Sequence, residues 1–187
     1  ALPIYFGNDP WAGGAMIETA ENVIKLTGIT REECDATALR RADQYQDSLA
    51  NDREFQKRYM FPVEIRVSKK KTIQIDSDEG IMPTTAEGLK GLRPVLPGGK
   101  LTFGAQTHPA DGHCALIVTD QEKAKELSDD KNIEIQIISF GHARVKKAHM
   151  PMAPVPAAQM ALEKAGLTVD DVKVIKTHNP FAANDIY

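Results

Sequence analysis

The sequence predicts an α/β fold, and three observations predict it. In the second half of the chain, β-branched runs at 114–118, 133–145 and 172–177 alternate with helical spacing at 121–127 and 154–165. In the first half, two helical patterns with clear start and stop signals precede a pair of short alternating runs split by a basic turn. The bulk composition, 42% hydrophobic and 26% charged over 187 residues, is that of a globular chain long enough for one ordinary domain or two small ones.

Each element has a local reason. Residues 1–14, rich in Gly, Pro and aromatics with Asn8-Asp9-Pro10 as a turn signal, read as irregular chain. Met16, Ala20, Val23 and Ile24 lie at helical spacing, and Gly28 is the stop. Thr30-Arg31-Glu32-Glu33 is a capping box, opening a helix that carries Cys34, Ala38, Ala42, Tyr45 and Leu49 on one face and runs to about Leu49. Residues 61–67 and 72–75 form a hairpin across Ser68-Lys69-Lys70-Lys71. Residues 76–99 hold no long periodic element. Their prolines and Gly98-Gly99 predict a loop excursion and then a boundary, and a loop of this length is usually functional. Residues 101–105 read as a strand, and 154–165 as a helix with Pro near its start and Gly166 at its stop.

Several function classes are disfavoured. A net charge of −3 gives no global attraction to nucleic acid or to an anionic membrane. No apolar run approaches the roughly 20 residues of a membrane helix. Two cysteines make no disulfide framework, so a reducing, cytoplasmic setting is expected. His108, Asp111, His113 and Cys114 fall within seven residues, but their spacing matches no standard zinc pattern, and no metal site is expected. Cys34 and Cys114 both read as small buried hydrophobes rather than nucleophiles. Lys69-Lys70-Lys71 reads as a solvated hairpin tip, with contact to a phosphorylated ligand as the lesser alternative.

The residues that invite chemistry are few. Met150-Pro151-Met152-Ala153-Pro154-Val155-Pro156 is a rigid apolar corner that could also wall a narrow acyl pocket, which the flexible Met side chain suits. His178 follows the run 172–177 and precedes Asn179-Pro180-Phe181, with a helix starting near Pro180. Ligands collect at the carboxyl ends of strands in open α/β sheets, and a histidine fixed there can present an N–H to developing negative charge. A capping role explains the same placement equally well.

Taken together, these stretches resemble a known family. Met16-Ile17-Glu18-Thr19-Ala20-Glu21-Asn22, Gly28-Ile29-Thr30-Arg31-Glu32-Glu33 and Asp35-Ala36-Thr37-Ala38-Leu39-Arg40 resemble the thiolase pattern M-G-x-T-A-E-N … G-I-S-R-E-E-Q-D-x-F-A-L-R. Pro62-Val63-Glu64-Ile65 is similar to its P-V-E-V. Gly98-Gly99-Lys100-Leu101-Thr102-Phe103-Gly104 with Ala110-Asp111-Gly112 is similar to G-G-T-V-T-A-G … D-G-A. Pro154-Val155-Pro156-Ala157 and Gly166-Leu167-Thr168-Val169-Asp170-Asp171-Val172 resemble G-P-V-P-A … A-G-L-x-x-D-D-I. The matches come in family order and cover nearly the whole chain.

The resemblance implies part of a five-layered α/β/α/β/α architecture built from two similar halves. Residues 1–98 would be the end of the first half plus the loop domain that holds coenzyme A, and 99–187 the first part of the second half. It implies an acyltransferase that makes or cleaves 3-ketoacyl-CoA thioesters, with the thioester as substrate and no separate cofactor. It further implies either a homo-oligomer or a thiolase-like partner subunit. The family's nucleophilic Cys would lie before this stretch, and its G-H-P and C-x-G motifs after it. Cys34 stands at a Gln-like position and Cys114 at an Ala-like one, so neither replaces the nucleophile, and the stretch alone is expected to be inactive. The family's N-E-A-F is replaced by His178-Asn179-Pro180-Phe181, which resembles the H-D-x-F of sterol-carrier-type thiolases and makes His178 the expected catalytic residue. Thr107 stands where the family has a pantetheine-contacting Ser, and with Met16, Met150 and Phe181 completes the expected CoA-thioester contacts. Ala15 replaces a His common in biosynthetic members. A non-catalytic partner subunit or an acyl-CoA-binding protein is the alternative reading.

Overall fold

The structure is a computed structural model that describes residues 7–108 and 114–187. It divides into two compact units. The larger comprises 1–108, 146–152 and 177–187, and the smaller comprises 109–145 and 153–176.

The larger unit is built on two helices. Helix α1, Met16–Thr27, ends where Gly28 adopts a left-handed φ of 78°, and its N–H closes the last turn on the Ile24 carbonyl. Helix α2, Arg31–Ser48, starts at the expected capping box: the Glu33 N–H donates to Thr30 Oγ1 at 3.2 Å, and the Thr30 N–H donates to Glu33 Oε2 at 2.7 Å. A short helix α3, Ala50–Lys57, follows, interrupted by three left-handed residues, Asn51, Asp52 and Arg53. The hairpin is as expected. Strands β1, Val63–Ser68, and β2, Lys71–Ile75, pair antiparallel with Ile65 opposite Ile73. Its one apolar set, Val63, Ile65 and Val67, is exposed.

The stretch 76–99 is less irregular than its prolines predict. Thr85 caps a one-turn helix α4, Ala86–Gly91, by accepting from the Gly88 N–H at 3.0 Å, and this helix buries Leu89. Arg31 fastens it, donating from Nη2 to the carbonyls of Leu89 and Leu92 at 2.7 and 3.2 Å. The core then gathers Ile17, Ala20, Ile24, Ile29, Cys34, Leu101, Ala105, Phe181, Ala182 and Ala183. Full burial of a side chain such as Leu101 or Ile24 contributes about 1.5–3 kcal/mol. The last helix of the unit is α7, Ala182–Ile186.

The smaller unit contains helix α5, Gln121–Leu127, and helix α6, Pro154–Ala165, both with the expected bounds. Gly166, at φ 67°, terminates α6 as predicted. Gly141 lies close against α6, where a Cβ would run into the Ala157 carbonyl oxygen.

The strand expectations for the second half are corrected. Residues 101–105 form a 3-10 turn, Phe103–Ala105, flanked by isolated bridges at Thr102 and Gln106. The runs 114–118, 133–145 and 172–177 have the sequence of strands but join no sheet, and the only sheet among the described residues is the two-stranded hairpin. A strand exists only through lateral hydrogen bonds, and an apolar run alone does not supply a neighbour. The cost shows in exposure: Leu116, Ile135 and Val174 are 88%, 84% and 73% accessible. Cys114 is exposed rather than buried for the same reason, whereas Cys34 is buried as expected.

Candidate functional site

The larger unit brings most of the expected contact residues toward one region. Met16 is the first residue of α1 and packs, half-buried, on the core that contains Phe181. Phe181 sits at the N-cap of α7 and is 4% exposed. Met150 opens the 3-10 turn Met150–Met152, which packs against both α1 and α7. Thr107 is tied to the segment before α7, since its N–H donates to the Pro180 carbonyl at 2.7 Å and Gln106 bridges Phe181. Its hydroxyl is exposed and donates to the His108 carbonyl at 3.3 Å.

His178 lies three residues before Phe181 in the same segment. The sequence places this ring at the carboxyl end of a strand, facing a cavity near Met150 and Phe181 with one nitrogen bonded to protein; the structure differs. The ring is exposed and makes no hydrogen bond among the described residues, and no strand delivers it. The reason is local: residues 172–177 have no ladder to hold them among the described residues, and His178 follows them on exposed chain.

What does hold this segment is a carboxylate on α7. Asp185 Oδ2 accepts from Arg41 Nη2 at 2.6 Å and Arg41 Nε at 2.9 Å, a two-pronged ion pair with both side chains largely shielded. Thr177 Oγ1 donates to Asp185 Oδ1 at 3.3 Å, and Asn179 Nδ2 to Oδ2 at 3.4 Å. Arg41 Nη2 also donates to the Phe181 carbonyl at 3.3 Å. Helix α2 therefore grips the residues on either side of His178. Sequence reasoning passed over Arg41 and Asp185, which lie 144 positions apart with no local pattern joining them.

A second residue passed over is His149. It is buried, with Nδ1 2.9 Å from the Lys147 carbonyl. The preceding Ala148 has φ 58°, and its carbonyl accepts from Asn22 Nδ2 at 3.0 Å. Nothing but residue type marks it in the sequence.

The thiols and charges complete the description. Burial, followed by the neighbouring carboxylates Asp35, Glu21 and Glu33, pushes the Cys34 thiol up to about 11. A thiol so shifted is the reverse of an activated nucleophile. Glu21 does structural work, accepting from the Lys100 and Leu101 N–H groups at 2.8 and 2.7 Å. Lys69 and Lys70 form the exposed hairpin turn. The cluster His108 to Cys114 runs through residues 109–113, outside the described residues; among those described, no group of side chains is arranged to hold a metal ion.

Residues 8–122 match the thiolase N-terminal domain and residues 131–187 the thiolase C-terminal domain. The chain belongs to the thiolase family. It is 36% identical over 179 residues to an acetyl-CoA acetyltransferase of Syntrophomonas wolfei, covering 95% of this chain and 44% of that one. To a 3-ketoacyl-CoA thiolase of Pseudoalteromonas translucida it is 34% identical, with 99% and 50% covered. The structure superposes on the Bacillus anthracis acetyl-CoA acetyltransferase with a TM-score of 0.85 at 30% identity, covering 96% of this chain and 45% of that one. Human mitochondrial 3-ketoacyl-CoA thiolase in complex with CoA gives 0.78 at 31%, with 96% and 44% covered. The chain thus has an incomplete thiolase fold and spans about half the length of the curated relatives it matches. No helix among the described residues is long and apolar enough to cross a membrane.

Proposed function

We propose that this chain supplies the CoA-thioester contacts and one oxyanion donor of a thiolase-type acyltransferase acting on 3-ketoacyl-CoA, and that it does not supply the nucleophile. The observation that carries the reading is the gathering of Met16, Thr107, Met150 and Phe181 in one compact unit, with His178 on the segment bonded to Thr107. Similarity to acetyl-CoA acetyltransferases and 3-ketoacyl-CoA thiolases, one of them solved with CoA, supports it.

In the condensation direction, removal of an α-proton from the acyl thioester places negative charge on the thioester oxygen as an enolate. His178 donates a ring N–H to that oxygen; a fixed donor of this kind contributes about 3 kcal/mol to lowering the barrier. The Thr107 hydroxyl contacts the pantetheine arm, and Met16, Met150 and Phe181 line the apolar path of the acyl group. In this reading bound acyl-CoA covers the exposed His178 ring. Two cysteines without a disulfide fit a cytoplasmic setting, and the substrate class fits lipid metabolism.

Titration of the labelled chain with acetyl-CoA, followed by NMR, tests this. The expected result is saturable shifts at Thr107, at the methyls of Met16 and Met150, and at the His178 ring. Shifts confined to the Lys69–Lys70 turn, or none, would overturn it.

A further inference from the structure

We propose that Asp185, held by Arg41, is the positioning group for His178. The inference rests on the role given to His178 above. An exposed ring on chain that joins no sheet cannot serve as a preorganised donor unless its backbone is fixed by something else, because a donor must already point at the developing charge when the charge appears. The only side-chain restraints on residues 177–179 among those described converge on one carboxylate. Thr177 and Asn179 bond to the two oxygens of Asp185 and bracket His178 like the two ends of a staple.

Those two bonds are long, at 3.3 and 3.4 Å, and would not hold a loop if the carboxylate itself were free to turn. It is not free. Arg41 engages Asp185 through both Nε and Nη2 and also reaches the Phe181 carbonyl, so one guanidinium fixes the rotamer of the carboxylate and the start of α7 together. The planar fork of arginine is suited to this, where the point charge of a lysine is not. Arg41 projects from α2, an 18-residue helix capped at its start and packed through Cys34, Thr37 and Ala38, so the clamp is anchored on a rigid element. On the far side the backbone bond from Thr107 to Pro180 prevents the segment from swinging away. The clamp thus links the donor segment to the residue proposed to touch pantetheine.

The test measures backbone order at Thr177, His178 and Asn179 by 15N relaxation in the 187-residue chain, beside its response to acetyl-CoA. In the wild type, order parameters near 0.85 are expected across the three residues, falling below about 0.6 in Arg41→Ala and Asp185→Ala. The α2 amides should stay near the wild-type value. Arg41→Lys should give an intermediate value, because it keeps the charge and a donor but not the planar fork, whereas a general loss of packing would lower the α2 amides as well. Acetyl-CoA-induced shifts at the His178 ring should fall at least fivefold in the two alanine variants and less in Arg41→Lys. Order that is low in the wild type, or unchanged in the variants, overturns the clamp. A wild-type ring that does not respond to acetyl-CoA overturns the functional role of His178 instead, while the order parameters still decide whether Asp185 fixes the segment.

Discussion

At the scale of single residues, the two cysteines separate cleanly. Cys34 is enclosed by the core and surrounded by carboxylates, which raises its thiol from near 9 to about 11; Cys114 is exposed. Iodoacetamide at pH 8 should therefore label Cys114 and leave Cys34 unmodified until the chain unfolds, as peptide mass spectrometry will show. Labelling of Cys34 in the native chain would contradict its burial. The shift has a consequence for stability with a definite sign. The folded state holds the Cys34 proton more tightly than the unfolded state does. The resulting stabilisation is fully present below about pH 9 and is lost as pH rises through about 11, so alkaline urea titrations should show the midpoint falling across that window, and Cys34→Ala should flatten the fall. The burial of Cys34 was legible in the sequence from its place on the apolar face of a capped helix. The exposure of Cys114 was not, because an apolar run reads as buried whether or not the surface that buries it is at hand. His178 could be chosen by its motif, but neither its exposure nor the Arg41–Asp185 pair beneath it follows from any spacing along the chain.

At the scale of elements, local chemistry predicted well wherever it alone decides the structure. The stop of α1, the start of α2 and both ends of α6 follow from Gly28, Thr30, Pro154 and Gly166, each acting within one turn of itself. Thr30→Ala should cost about 1 kcal/mol in the stability of the larger unit, measured by urea denaturation, because it removes the hydroxyl that accepts from the Glu33 N–H. The same box adds an acid-side dependence. The Thr30 N–H and hydroxyl hold the Glu33 carboxyl below its usual range, so this contribution is present above the ordinary glutamate range and is lost as pH falls through the lowered value. In the smaller unit, Gly141→Ala should destabilise by about 1–3 kcal/mol, since the added Cβ meets the backbone oxygen of Ala157 and not a yielding side chain. Limited proteolysis within 109–145 is the readout, and an unchanged cleavage rate would argue against that packing. The hairpin was legible because its turn brings the neighbouring strand with it; the runs of the second half were not, because a helix satisfies its own hydrogen bonds while a strand depends on a neighbour that a one-dimensional pattern cannot supply.

At the scale of the whole molecule, apolar runs that join no sheet among the described residues are exposed. The runs 114–118, 133–145 and 172–177 carry Ile, Leu and Val side chains that stand open in a chain spanning about half the length of its relatives. Exposed apolar surface on this scale binds ANS or drives association. The 187-residue chain should therefore raise ANS fluorescence or elute above monomer mass on size exclusion, and a monomer that does neither would contradict the exposure described here. The same chain should show no thiolysis of acetoacetyl-CoA, because Cys34 is buried with its thiol pushed up and Cys114 stands at a position the family does not use as nucleophile; turnover abolished by Cys114→Ser would reverse that conclusion. The central claim is that His178 meets the enolate charge. The most direct test is kcat for acetoacetyl-CoA thiolysis by a thiolase that contains this chain, with and without His178→Ala. The account predicts a fall of about a hundredfold with CoA affinity nearly intact, the loss of one fixed oxyanion donor; an unchanged kcat would contradict it.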